Sequence, residues 1–345
     1  MSSASAALKI DEYVIESDRA TSSTVFNVQI KENLLNATIL QTLLLDRTTK
    51  SNIIWATSDY KEFGAGYDFF DTIEVKKITG ENNKIIKPRV AKTETEKKKR
   101  CKQSAEIFTP SWICNNMNNC IDKSWFDREI IFNKENCKTW ETITDRIKFP
   151  ADKTWQDYIM ENRLEITCGE APYIVSRYDA VTGEPIPLKE RIGLLDRKLR
   201  IVNENLTNKK DWTKWAIESF KHCYGYDYQG DNVLLARENL FYSFIDYYVD
   251  RWQEQPDADT LNKVAHIISW NVWQMDGLKQ VVPRSCEGAP EEQMSFFDEE
   301  SKSECKGCKK MGDYFNHIGI YCKIMDWDAN EEIRFVDLVK KDGEQ

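Results

Sequence analysis

The residues with the most chemistry in them lie in three short stretches and one cysteine group. Leu164 to Ile174, LEITCGEAPYI, carries a carboxylate at Glu165 and two small residues, Cys168 and Gly169, that let a ligand approach the backbone. HCYGYDYQGDN places Asp227 directly after the apolar run Tyr224 to Tyr226, where a carboxylate can accept two hydrogen bonds from a ribose. NVWQMDGL places Asp276 in a turn after apolar sequence, where it can face a cofactor or substrate. The cysteine group is of another kind: Cys305 and Cys308 form a CxxC pair, with Cys286 upstream and His317 and Cys322 downstream. Cys286, Cys305, Cys308 and either Cys322 or His317 could close a tetrahedral structural zinc site, a knuckle within 284–322. Free thiols are the alternative, because the spacing from Cys286 is irregular and only one CxxC is present.

Such carboxylates can act together only if strands end in one cleft. Leu164 to Thr167 suit the end of a buried strand, with Ala171 and Pro172 opening the next helix; Pro at the first helical position gives up an amide hydrogen that has no partner there. Tyr224 to Tyr226 read as a second strand, followed from Asn232 by an amphipathic helix with Val233, Leu234, Ala236 and Leu240 for packing. Val264 to Trp270, VAHIISW, reads as a third. In an open α/β sheet, ligands sit beyond the carboxyl ends of strands and against helix N-termini. Taken singly, the first motif is also an ordinary Gly turn, and Asp227 or Asp231 could cap a helix. Three such strand ends together favour a functional cleft.

More than fifty residues separate the first two motifs. Within them VTGEPIP reads as a hairpin or loop, while RIGLLDRKLRIVNENL and DWTKWAIESFKHC read as helices, a helical insertion after the first core strand. Upstream, Thr109 before Pro110 turns the chain into a helix starting near Ser111, with Trp112, Ile113 and Met117 as its apolar positions. Val25 to Ile30, Ile53 to Ala56 and Phe70 to Val75 read as strands of a small α/β extension over residues 1–100. Its charged end, Lys87 to Lys102, could contact phosphates, or it forms a solvated linker or helix face.

A chain of 345 residues, 41% hydrophobic and 12% aromatic, is long and apolar enough to bury a large core. The net charge of −9 gives no support to a broadly basic nucleic-acid surface. No apolar run approaches the roughly 20 residues a bilayer span needs, and the start MSSASAALKIDEY has no signal-peptide core, so a cytoplasmic location is expected. Ten cysteines fit that compartment as thiols or metal ligands.

With these motifs assembled in order, the chain resembles adenine-N6 DNA methyltransferases, in particular the modification subunits of restriction-modification systems. AEIFTPSWI resembles the Phe-Thr-Pro box that covers S-adenosylmethionine, and LEITCGEAPYI resembles the first cofactor loop. YGYDYQGDNVLLARENL resembles the ribose-binding strand and helix, and NVWQMDGL the segment whose Asp orients methyl donor or target amine. The matches run from about residue 100 to 280 and imply a Rossmann-like class I methyltransferase sheet, incomplete, over 101–345.

The resemblance implies cofactor contacts from Phe108, Thr109, Pro110, Glu165, Cys168, Gly169, Asp227 and Asp276. Two residues depart from the family pattern: Ala171 stands where a second Gly is usual, and Ile166 where Pro is usual. The Asn-Pro-Pro-Tyr motif that holds a flipped adenine is absent from these 345 residues, and the chain reaches Gln345 soon after YCKIMDWDANEEIRFVDLV, the segment that precedes the catalytic strand in the family. The expectation is therefore the cofactor-binding half of a DNA methyltransferase, completed by a second subunit that carries the catalytic motif. The alternative is a non-catalytic or structural subunit of a restriction complex. A dinucleotide oxidoreductase is disfavoured by the absence of GxGxxG spacing.

Overall fold

In the computed structural model, residues 37–104, 106–107, 109–287, 305–310 and 312–341 are described; Val25 to Ile30 and Phe108 lie outside them. The helices and strands come in the order α1 (Ala37–Leu44), α2 (Val75–Ile78), α3 (Glu94–Ser104), α4 (Ser111–Phe126), β1 (Asn133–Asn136), β2 (Thr139–Thr142), α5 (Trp155–Met160), β3 (Arg163–Ile166) and α6 (Leu194–Asn205). They continue as α7 (Lys209–Lys221), β4 (Cys223–Asp227), α8 (Gly230–Trp252), α9 (Ala258–Asn271), β5 (Val272–Gln274), α10 (Lys306–Lys309), β6 (Lys323–Asp326), β7 (Glu331–Arg334) and α11 (Phe335–Lys341).

The fold is mixed α/β. Its centre is a three-stranded parallel sheet in the order β3-β4-β5, with β1-β2 and β6-β7 as separate antiparallel hairpins. Glu165 lies beside Gly225, and Asp227 beside Gln274, so the ends of β3 and β4 reach the same edge of the sheet. One long core joins Leu40, Leu43 and Leu44 of α1 and Trp55 to Leu199, Phe220, Phe241, Val264 and Ile268. On the other face of the sheet, Tyr226, Trp273 and Met275 pack with Cys322 and Ile324, and Phe335 lies against them. A parallel sheet is normally covered on both faces, since its crossovers bring helices onto them. Among the described residues, no helix is long and apolar enough to cross a membrane.

Three local expectations are corrected. VAHIISW is not a strand but the last half of α9, whose start is capped by Asp257 accepting the amide of Thr260 at 2.8 Å. Its buried apolar positions Val264, Ala265, Ile267 and Ile268 come in adjacent pairs, the spacing of a helical stripe, and the strand begins at Val272, two residues after Trp270 ends the stretch. Ile53 to Ala56 and Phe70 to Val75 form isolated bridges rather than strands, Ile54 pairing with Thr72. β3 is an edge strand rather than a buried one: Leu164 and Ile166 are 42% and 64% exposed.

α4 starts at Ser111 as its Pro110 implies, but it buries a polar stripe of Asn115, Asn118, Asn119 and Asp122, leaving Met117 exposed. The stripe exists because Arg197 of α6 is buried against it. Its guanidinium pairs with Asp122 and donates to Asn115 and Asn119 at 2.9 and 2.8 Å. The insertion between β3 and β4 is helical as expected, formed by α6 and α7.

Candidate functional site

A cavity of about 760 Å³ opens beyond the carboxyl ends of β3 and β4. Of the residues singled out by sequence, Thr109, Glu165, Cys168, Gly169 and Asp227 line it. Pro110 caps the start of α4 and lies outside the wall. Asp276 also stands apart: its carboxylate accepts the amides of Leu278 and Lys279 at 3.1 and 3.2 Å, closing its own turn.

The loop after β3 is not the helix expected at Ala171 and Pro172. Thr167, Gly169 and Ala171 all take positive φ, 52°, 53° and 63°, which breaks any helical repeat. Glu165 reaches past the turn and accepts the amides of Tyr173 and Ile174 at 3.3 and 3.1 Å, bonds a carboxylate makes in place of a helix. Ala171 holds its left-handed backbone with a Cβ in place, a conformation that favours Gly. Ala171→Gly is therefore expected to relieve about 1 kcal/mol of backbone strain, offset in part by the greater freedom of Gly in the unfolded chain. A urea midpoint that changes little or rises would agree with this; a large fall would not.

The loop is pressed onto the sheet by a small residue opposite. A Cβ at Gly225 would stand 3.2 Å from both Cys168 Cβ and Ile174 Cδ1, so a side chain there would lift the loop. Asp227 then ties loop to sheet: its Oδ2 accepts the amide of Gly169 at 2.9 Å, and its Oδ1 the amide of Gln229 at 3.0 Å and Asn232 Nδ2 at 3.3 Å. Burial raises the Asp227 carboxyl above its ordinary value against these hydrogen bonds. Burial likewise lifts Glu165 to about 8, although the two amides pull the other way.

More of the wall comes from Glu106, Tyr228 and Asn232, which lie in the segments that sequence connected with the site, and from parts that it did not connect: Ala56 to Asp59, Phe69, Lys99 and Arg284. Tyr228 and Asn232 follow Asp227 closely, a signal that could have found them. The N-terminal part of the wall arrives by tertiary docking. Gln274 Nε2 donates to Ile54 O at 2.8 Å and its Oε1 accepts the amide of Ile54 at 3.0 Å, while Gly230 N donates to Trp55 O at 3.1 Å. A Cβ at Gly230 would lie 2.0 Å from Ile54 O, so only Gly permits this contact at the start of α8.

The wall is rich in hydrogen-bond acceptors. Asp59, Glu106, Glu165 and Asp227 supply carboxylates, against Lys99 and Arg284 as cations. Glu106 Oε1 and Asn232 Oδ1 are buried with no hydrogen-bond partner among the described residues. Orphaned buried acceptors are costly, and these two lie behind the cavity surface rather than on it.

Behind the wall, the charged segment Lys87 to Lys102 is largely the exposed helix face that one of its readings implied, but two of its cations turn inward. Arg100 on α3 is 3% exposed and Lys92 is buried too. Arg100 holds Asp231 through Nη1 at 2.6 Å and Nη2 at 3.0 Å and also pairs with Glu106 and Gln229, both wall residues.

The cysteine group is assembled, with one correction. Cys286, Cys305, Cys308 and His317 bring their donor atoms within 4.8 Å of one another, a set that could hold a metal ion. Cys322 is not among them: it is fully buried against the sheet, its Sγ 3.4 Å from Gln274 O. Cys322 directly follows Tyr321, which pairs with Val281, so its side chain turns to the core while His317 stays in the loop. No family model, curated protein or solved structure matches the chain.

Proposed function

We propose that the cavity binds S-adenosylmethionine and that the chain serves adenine-N6 DNA methylation in a restriction-modification system, with the catalytic motif supplied by a second subunit. The observation that carries this reading is the acceptor-rich wall at the ends of two adjacent parallel strands. Asp227, Glu165 and Asp59 line the cavity and offer acceptors for ribose hydroxyls, an ammonium and the field of a sulfonium cation. A pyrophosphate would instead meet the carboxylates of Asp59, Glu106 and Asp227 with two cations, which argues against a dinucleotide. The sheet order β3-β4-β5 is also that of one half of a doubly wound nucleotide-binding sheet, with the ligand beyond its carboxyl ends.

In this reading Asp227 holds the ribose, and Gly169 and Cys168 let the cofactor lie close to the backbone. The share of catalysis falling to this chain is holding the methyl donor in line and shaping the charge around the departing sulfonium. The second reading, a non-catalytic cofactor-binding subunit, is favoured by the engagement of Asp276 in its own turn rather than in the cavity. Transfer of labelled methyl to DNA on adding a partner subunit would decide for the enzyme.

The direct test is calorimetric titration of the chain with S-adenosylmethionine. Asp227→Asn keeps the side chain's volume and removes its charge, so it should weaken binding on the order of a hundredfold, the scale of two charge-assisted hydrogen bonds. A folded wild-type chain that takes up no cofactor would overturn the reading.

A further inference from the structure

We propose that Cys286, Cys305, Cys308 and His317 form a tetrahedral zinc site whose role is to hold Arg284 in the wall of the cavity. Zinc bound at about 2.3 Å to sulfur and about 2.0 Å to nitrogen with tetrahedral angles separates the two donors by about 3.6 Å. His317 Nδ1 lies 3.6 Å from Cys286 Sγ, 3.5 Å from Cys305 Sγ and 3.7 Å from Cys308 Sγ. Three thiols and an imidazole suit a borderline-soft ion such as zinc and not calcium or magnesium, which take oxygen.

The surroundings are built for such a centre. The amide of Ile318 points at Cys305 Sγ at 3.4 Å, the kind of bond that supports a ligating thiolate. Two glycines clear the space: a Cβ at Gly307 would lie 2.8 Å from His317 Nδ1, and one at Gly319 2.8 Å from Cys286 Sγ.

The link to the cavity is short. Arg284 lies in the cavity wall two residues before the ligand Cys286, with a left-handed φ of 55°. Its guanidinium sits over Phe69, 4.4 Å from the ring centroid, and Phe69 meets Tyr228 edge-on; both rings line the cavity. The strap from Val281 to Glu287 is held by Val282 N to Ile320 O at 2.8 Å and by Ile320 N to Ser285 Oγ at 2.9 Å. Val281 at its start is buried and bridged to Asp276 and Tyr321, and turns at Ser285 N to Val282 O and Glu287 N to Arg284 O shape the rest. Tying Cys286 to the 305–317 segment through one ion would add a fixed point two residues from Arg284 and set where it stands. The meaning of that position rests on the cavity being a cofactor site, but the metal and the strap do not.

The test uses the full chain purified with zinc. Metal analysis should find about one zinc per chain, lost in Cys308→Ala, whose side chain is exposed and leaves the core intact. His317→Cys should retain it. Hydrogen exchange on zinc-loaded and chelator-treated protein then reads the strap: the amides of Val282, Ser285 and Ile320 should exchange on the order of tenfold faster or more without zinc, with β3 and β4 unchanged. Absence of stoichiometric zinc from the wild-type chain overturns the metal site, and zinc whose removal leaves those amides unchanged overturns its role in the wall. S-adenosylmethionine enters neither measurement, so its failure to bind would sink the proposed function alone.

Discussion

Arg100→Met is expected to destabilise the chain by about 3–5 kcal/mol, the scale for breaking a buried ion pair by removing one partner. Asp231 is fully buried and would keep Lys92 at 3.4 Å as its one charged partner among the described residues, beside the Tyr60 hydroxyl at 2.6 Å and the Asn232 amide at 3.0 Å. Glu106, already carrying one orphaned oxygen, would lose the partner of the other. The loss should therefore show twice, as a lower urea midpoint and as weaker S-adenosylmethionine binding, because Glu106 and Gln229 stand in the cavity wall. Arg100→Met combined with Asp231→Asn should recover part of the stability, since the pair goes together. The pH dependence has a definite sign. Burial alone would raise the Asp231 carboxyl, but Arg100 and Lys92 outweigh it and hold it well below the usual range. Its contribution is thus present above the ordinary aspartate value and lost as pH falls through the native one. Equal urea midpoints for wild type and Arg100→Met would refute the clamp.

What sequence could and could not reveal follows the same division between local and tertiary causes. Tyr224 to Asp227 and the helix after it were legible because a short apolar run, a terminal carboxylate and a helical stripe are all local signals, and β4 and α8 stand there. The meeting of Glu165, Cys168, Gly169 and Asp227 in one cavity was legible from the strand ends. The third strand was misplaced because the apolar run of a buried helix end reads as a strand over seven residues, and its Asp257 cap and the paired spacing of Val264, Ala265, Ile267 and Ile268 mark the difference. The loop after β3 failed for another reason: Glu165 takes the amides a helix would use, a bond between residues eight and nine apart that no periodicity records. Arg100 in a run of lysines carries no mark that distinguishes the one buried cation from its exposed neighbours. His317 and Cys322 were equivalent as ligands in sequence, and the pairing of Val281 with Tyr321 separates them.

Glu165→Gln is expected to change the pH dependence of stability more than its value at any one pH. The wild-type carboxyl is raised to about 8 by burial, whereas in the unfolded chain it titrates near 4.5. Between these values the native state holds a proton that the unfolded state has lost, so stability falls as pH rises from about 4.5 to about 8 and levels above. The full penalty for ionising such a group is on the order of 5 kcal/mol. Gln cannot ionise, and its single oxygen serves only one of the amides of Tyr173 and Ile174, the latter keeping Ala171 O at 3.1 Å, which lowers stability equally at every pH. The difference between the two proteins, measured by urea unfolding at pH 5 and pH 8.5, should therefore shift in favour of the variant at the higher pH. A constant difference would mean that Glu165 is already ionised at pH 5, held by the two amides. The same proton gives a second readout of the cavity: a cationic ligand placed beside Glu165 draws it into the anion. Binding of S-adenosylmethionine at pH 7 should then release roughly one proton, seen as heats that depend on the buffer, and Glu165→Gln should abolish that release.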